Sequence, residues 1–254
     1  MKNAVLEKIE KVIGKVSAFV ILDEQGCTSE VSRIVTKERS YILKSVNKEK
    51  YRLWLKDEAQ ILEKLQDDLI PVPRYYGMFD ELDSSHLLMS LEDGITLTAA
   101  LRKATSLEKK ELLRSFGRFL DRFHERIPLK SLKREDNWLE SQLAKAKSYV
   151  DSGQTEGDLK LLESLILNRP SLVNQTMIHG DCTTDNVLVI DGEVSMFIDV
   201  AGMTVGDPRY DESLAIRRII NEPELLEAFY EGYTRYRVTM EEFKYFDEGL
   251  YEFF

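Results

Sequence analysis

The sequence predicts an α+β chain in two lobes: a small antiparallel-sheet lobe with one main helix, then a larger, mostly helical lobe. Three observations carry that expectation. Over residues 1–91, strand-like runs alternate with turn residues, and only one long helical stripe, at 53–65, follows the opening helix. From residue 92 onward helical spacing dominates, and the strand candidates there are short and confined to 176–198. The chain has 254 residues, 43% of them hydrophobic, with 11 Phe and 11 Tyr, enough to bury a core and too apolar for a disordered chain.

Residues 1–16 place Val5, Leu6, Ile9, Val12, Ile13 and Val16 at helical spacing, so they read as an amphipathic helix and not as a signal peptide. Strands are expected at 17–22, 31–35 and 41–46, the first two joined by the turn-like run Asp23-Glu24-Gln25-Gly26-Cys27-Thr28-Ser29. The helix at 53–65 is stopped by Pro71-Val72-Pro73, which forces an extended connection into strands at 75–79 and 86–91. Thr105 and Glu108 have capping-box spacing ahead of the stripe Leu112, Phe116, Phe119, Leu120, Phe123. Helices follow at 139–149 and 159–167, with an acidic loop at 151–158 between them. Short strands at 176–178, 187–190 and 194–198 come next, the last two joined through the hairpin turn Asp191-Gly192. Helices at 210–220, 222–236 and 240–250 complete the pattern.

Composition removes several function classes. The net charge of −10 argues against nucleic acid as a partner. No apolar run approaches the ~18 residues of a membrane span. Two cysteines, Cys27 and Cys182, lie far apart without CxxC spacing, which excludes a disulfide framework and points to a reducing cytoplasm. The charge is uneven. Residues 1–60 carry 12 Lys/Arg against 9 Asp/Glu, and residues 195–254 carry 6 against 13. A nucleotide phosphate suits the first region and a cationic second substrate the other, although ordinary acidic solvation accounts for the same pattern.

The informative segment is His179-Gly180-Asp181-Cys182-Thr183-Thr184-Asp185-Asn186, followed by a hairpin and then Phe197-Ile198-Asp199. Phosphoryl transfer asks for a carboxylate that orients the attacking hydroxyl and accepts its proton, and for hard oxygens that hold Mg²⁺ on the phosphates. Asp181 fits the first role; Asn186 and Asp199 fit the second. Each acid alone passes for a turn residue or a helix cap. The combination with Gly206-Asp207-Pro208-Arg209-Tyr210-Asp211 before a helix is far more specific.

The HGDxxxxN…ID…GDPxxD series resembles the aminoglycoside phosphotransferase and choline kinase superfamily over nearly the whole chain. That resemblance implies a bilobal, protein-kinase-like fold, with a nucleotide-binding lobe at 1–91 and a catalytic, substrate-binding lobe at 92–254. It implies ATP or GTP with Mg²⁺ as cofactors, and a catalytic Asp181. Lys44 matches the lysine that holds the α- and β-phosphates, and Glu58 the acid that pairs with it. Gly26, Thr28 and Ser29 fall in the phosphate-covering loop, and Met89 and Leu91 at the interlobe connection. His179 and Asp211 match supports of the catalytic loop.

Within that superfamily the chain is most similar to the aminoglycoside 3′-phosphotransferases, judged by length, the hairpin before Asp199 and the ending Leu250-Tyr251-Glu252-Phe253-Phe254. The likeness implies that Glu252 and Phe254 line the acceptor site, with Asp151, Glu156 and Asp158 as further candidates for binding a cationic antibiotic. Tyr251 departs from the pattern by replacing one of the expected terminal acids, and Gly202 stands where an arginine is usual. The acceptor is therefore expected to be a hydroxylated small molecule, with a cationic aminoglycoside as one candidate and another metabolite as the alternative. A monomer is expected. Two rivals remain. Asp199-Val200-Ala201 and the absence of an Ala-Pro-Glu segment argue against a protein kinase. The complete residue set argues against a nucleotide-binding scaffold without activity.

Overall fold

The computed structural model describes residues 3–22, 25–26, 28–133, 136–153 and 155–254. The chain divides into two compact units, one of residues 1–94 with 196–202, the other of 95–195 with 203–254. The segment around Asp199 thus belongs with the N-terminal unit, a placement that reading the chain in order does not reveal.

The first unit is built from α1 (Asn3–Ile13), β1 (Val16–Ile21), β2 (Glu30–Thr36), β3 (Ser40–Val46), α2 (Glu49–Lys64), β4 (Tyr75–Asp80) and β5 (Ser85–Ser90). The strands form one antiparallel sheet in the order β1-β2-β3-β5-β4. Alternation along β3 buries Tyr41 and Leu43 on one face, where they join Val5 and Ile9 of α1, Ile34 and Leu88. The same alternation turns Lys44 to the other face, in register with Val31 and Leu87. The main helix starts at Glu49, four residues before its apolar stripe, with Glu49 complementing the dipole of a polar first turn. Its buried face is Leu55, Glu58, Ala59 and Leu62. Leu53, counted with the stripe from sequence, is instead 60% exposed.

The second unit contains β6 (Ile95–Thr96), α3 (Leu97–Lys103), α4 (Ser106–His124), α5 (Trp138–Ser152), α6 (Leu159–Leu167), β7 (Thr176–Ile178), β8 (Val187–Ile190) and most of β9 (Glu193–Phe197). It continues with β10 (Thr204–Gly206), α7 (Pro208–Ile216), α8 (Pro223–Gly232), α9 (Met240–Phe246) and a 3₁₀ turn at Leu250–Phe253. β8 lies between β6 and β9, and β10 pairs antiparallel with β7. The capping box forms as the spacing predicts, with Thr105 Oγ1 accepting from Glu108 N and Glu108 returning the bond to Thr105 N. The Asp191-Gly192 turn has positive φ at both residues, as a tight hairpin demands.

Three helices end earlier than their periodicity suggests. α8 stops at Gly232, where it crosses α4 so closely that a Cβ there would lie 2.1 Å from the Arg114 carbonyl oxygen. Gly117 on α4 meets the Phe229 carbonyl at the same distance. α9 stops at Phe246, ahead of Gly249, where an added Cβ would lie 2.5 Å from the Tyr245 carbonyl. α7 stops at Ile216. Sequence reading also missed β6, α3 and β10, which are too short to show a period. Among the described residues, no helix is long and apolar enough to cross a membrane.

Candidate active site

In the first unit, two predicted carboxylates converge on the predicted Lys44 ammonium. Lys44 Nζ lies 2.8 and 3.0 Å from the Glu58 carboxylate oxygens and 3.0 Å from Asp199 Oδ1. β3 presents the lysine, the buried face of α2 presents the glutamate, and the chain leaving β9 returns Asp199 from 155 residues away. Phe197 N donates to the Pro71 carbonyl, and Val200 packs fully buried beyond Asp199, fixing the segment on both sides. Asp199 has φ +60°, a left-handed conformation uncommon for non-glycine residues, although Asp adopts it more readily than most.

The electrostatics favour a charged lysine. Burial works against that charge, but the Asp199 and Glu58 carboxylates outweigh it and hold the Lys44 pKa well above its ordinary value. Burial meanwhile pushes the Glu58 carboxyl up to about 7, against the pull of Lys44. The Asp199 side chain is 50% exposed, whereas that of Glu58 is 4% exposed.

In the second unit, Asp181 and Asn186 close a compact loop. Asn186 Nδ2 donates to Asp181 Oδ2 at 2.7 Å and to the Asp181 carbonyl at 2.9 Å. Its amide nitrogen is thus committed, which makes the amide oxygen the atom it would offer a metal. Asp211, on the first turn of α7, braces the loop from below. Its carboxylate accepts from His179 N at 2.6 Å and Gly180 N at 2.8 Å. His179 accepts from Asp181 N through Nδ1 at 3.2 Å, a structural contact within the loop. Gly180 has φ +82°, so the turn that delivers Asp181 suits glycine. Asp207 caps α7 and grips the buried Arg209, which also pairs with Glu242. Cys182 is fully buried, and burial beside Asp211 and Asp181 pushes its thiol pKa well up, so it is not a reactive thiol.

Several partners of this loop were not singled out from sequence. His124 of α4 lies 3.4 Å from the Asp211 carboxylate and 2.9 Å from the Tyr233 hydroxyl. Arg218 bridges Thr98 and Asp185, tying the loop to α3. Tyr251, noticed in the sequence only as a substituted acid, donates its hydroxyl to Asp181 Oδ1 at 3.1 Å. These partners lie 33 to 120 residues apart along the chain, beyond the reach of local spacing.

The remaining predicted residues are placed variously. The Glu252 carbonyl accepts from Gly157 N and Thr155 Oγ1, so the acidic loop lies on the final 3₁₀ turn, with Glu156 and Glu252 both exposed. Phe254 packs edge-on against Tyr149, under Lys145. Asp158 is otherwise engaged: its Oδ1 caps α6 by accepting from Leu161 N at 2.7 Å. Asp151 faces solvent beside Lys147, one helical turn back on α5. Gly26 is exposed, while Thr28 and Ser29 are half-buried in the β1–β2 connection; Cys27 lies outside the described residues. Gln25, unnoticed in the sequence, staples that connection by accepting from Val31 N at 2.7 Å and donating to the Val31 carbonyl at 2.9 Å. Met89 is buried on β5, and Leu91 follows it half-buried. Among the described residues, no three Asp, Glu, His or Cys side chains cluster as a ready-made metal cage.

Comparison with known proteins bears on the chain as a whole. A model of the phosphotransferase enzyme family matches residues 21–244. The curated proteins contain no match. The solved structure of an aminoglycoside 3′-phosphotransferase of type VIII superposes with a TM-score of 0.78 at 20% identity, covering 99% of this chain and 98% of its own. A 3″-phosphotransferase from Streptomyces rimosus, solved with ADP and streptomycin, gives 0.74 at 18% identity, covering 96% and 95%. A spectinomycin phosphotransferase with ADP and spectinomycin gives 0.62 at 15% identity, covering 97% and 83%. At such identities these structures establish the shared fold, while the family match spans most of the sequence. The chain belongs to the phosphotransferase enzyme family.

Proposed function

We propose that this small-molecule kinase transfers the γ-phosphate of ATP to a hydroxyl of a polyhydroxylated, cationic acceptor of the aminoglycoside class. The observation that carries the reading is the convergence of Glu58 and Asp199 on Lys44. Lys44 would take the α- and β-phosphates, with Glu58 holding its ammonium in place. In the first unit Asp199 offers a carboxylate and in the second Asn186 offers an amide oxygen, each a hard donor of the kind Mg²⁺ prefers. Once bound, the metal supplies charge neutralisation on the phosphates.

Asp181 orients the acceptor hydroxyl. The acceptor oxygen bonds to the γ-phosphorus, the β–γ bridging bond breaks with its electron pair leaving on ADP, and the hydroxyl proton passes to Asp181. The exposed Glu156 and Glu252 fit ammonium groups of an acceptor. A second reading, a hydroxylated metabolite other than an antibiotic, is favoured by one observation: the Arg217 guanidinium sits 4.6 Å over the Tyr251 ring, a positive charge beside the residue that touches Asp181. In either reading the chain acts as a monomer in the cytoplasm.

The test is ADP release from Mg²⁺-ATP against a panel of aminoglycosides, choline, homoserine, sugars and macrolides. Turnover with 3′-hydroxyl antibiotics but not with their 3′-deoxy analogues supports the first reading; turnover only on another acceptor supports the second. Asp181→Asn should lower kcat roughly 10²–10⁴-fold with nucleotide binding retained. Equal activity in that variant would remove Asp181 from the mechanism.

A further inference from the structure

Resting on the kinase reading above, we infer that Tyr251 is a positioning residue that occupies the hydroxyl-accepting oxygen of Asp181 until an acceptor arrives, and so suppresses transfer of phosphate to water. The two oxygens of Asp181 are engaged differently. Oδ2 accepts the Asn186 amide at 2.7 Å, a bond inside the loop itself. Oδ1 accepts the Tyr251 hydroxyl at 3.1 Å. A hydroxyl donating to that carboxylate is the contact an acceptor hydroxyl makes when it is oriented for attack, so Tyr251 stands in the acceptor's place.

Its position is built, not incidental. The flanking Leu250 and Phe253 are fully buried, and the carbonyl of Glu252 is held by Thr155 and Gly157. Gly157 accommodates the Phe253 ring so tightly that an added Cβ would lie 2.5 Å from it. On the other side Arg217 covers the Tyr251 ring, and its Nε lies 3.1 Å from Asp247 Oδ1. The hydroxyl is thereby held at Asp181 by packing along the whole final turn.

A bound acceptor brings binding energy from its other groups and can displace or share that oxygen; a single water cannot. In the wasteful reaction, the oxygen of water bonds to the γ-phosphorus and the β–γ bridging bond breaks, leaving its electron pair on ADP. The water proton passes to Asp181, and the products are ADP and phosphate. Tyr251 disfavours this step by holding the oxygen that would orient the water.

The experiment is acceptor-free ADP release from Mg²⁺-ATP by the wild type, Tyr251→Phe, and Tyr251→Phe combined with Asp181→Asn. Phenylalanine keeps the ring beneath Arg217, and a thermal melt verifies that the variant is folded. Loss of one hydrogen bond to Asp181 predicts a rise of about 3–10-fold in the water reaction. Phosphoryl transfer to an acceptor should change less, so the ratio of transfer to hydrolysis falls. The added Asp181→Asn should abolish the rise. An unchanged or lower acceptor-free rate in folded Tyr251→Phe overturns the inference, and so does a rise that survives Asp181→Asn. If Tyr251→Phe raises hydrolysis as expected while no acceptor on the panel is used, the inference stands and the acceptor class falls. A wild type that neither binds nor hydrolyses the nucleotide overturns the kinase reading and this inference with it.

Discussion

The Lys44 cluster of the first unit and the Asp181 loop of the second are held by different physics. Lys44, Glu58 and Asp199 meet through charge, with one carboxylate buried and the other half in solvent. The Asp181 loop is instead held by hydrogen bonds to backbone amides, focused on an Asp211 that is 0% exposed. Under the proposed function the Lys44 cluster admits a charged ligand, which its half-exposed Asp199 carboxylate allows. A loop that must hold one carboxylate at a fixed angle gains from buried bonds that nothing displaces. The two should therefore fail differently when cut.

Asp211→Asn should show the largest combined effect. The carboxylate accepts from two backbone amides, and an asparagine can keep only one of them while turning its own N–H groups toward the other. Leaving a buried donor unmet costs about 1–3 kcal/mol. A chain of this size should then melt about 2–10 °C lower, and ADP release should fall with it because Gly180 no longer delivers Asp181. A variant with the melting temperature and turnover of the wild type would mean that Asp211 does not brace the loop.

Asp199→Ala tests the other side of the comparison. The half-exposed carboxylate contributes little to the fold, and Lys44 keeps Glu58 as its partner. Stability should change by less than about 1 kcal/mol, while Mg²⁺-dependent nucleotide binding is lost. Titration with and without the metal separates the two. A large drop in melting temperature with metal-dependent binding intact would mean that the Lys44 cluster, like the loop, is architecture first.

What the sequence revealed follows the same division. Lys44 and Glu58 were singled out through the family resemblance, 14 residues apart on a strand and a helix, and Asp181 and Asn186 through the one loop that holds both. Asp199 was legible as an acid ending a hairpin, though its place on Lys44 was not. The braces were opaque. His124 lies 87 residues from Asp211, and Tyr251 lies 70 from Asp181, so no local period links them. Asp158 was read from sequence only as an acid in an exposed loop, and its second role, Oδ1 capping α6, was not seen there. The close crossing of α4 and α8 was hidden too, since Gly117 and Gly232 reveal their role only once the helices meet.

An effect confined to stability, and to its pH dependence, comes from Glu212, the neighbour of Asp211 and equally buried. Asp211 has both oxygens satisfied by the loop. Glu212 accepts from Tyr230 and from Val238 N through Oε1, but its Oε2 is buried without a hydrogen-bond partner. Burial therefore pushes the Glu212 carboxyl up to about 7 from its ordinary 4.5, against the pull of its two donors. The sign follows directly. Between these values the folded chain holds a proton that the unfolded chain releases, so this group's contribution is fully present below pH 4.5 and is lost as the pH rises through 7. Glutamine keeps the acceptor at Oε1 and carries no charge, so Glu212→Gln should gain on the wild type as the pH rises from 5 to 8, by about 1–3 kcal/mol in all. Melting temperatures of both proteins across that range test it. Parallel curves would mean that the unmet Oε2 of Glu212 costs its charged form nothing, and the contrast between a satisfied buried acid and an unsatisfied one would fall.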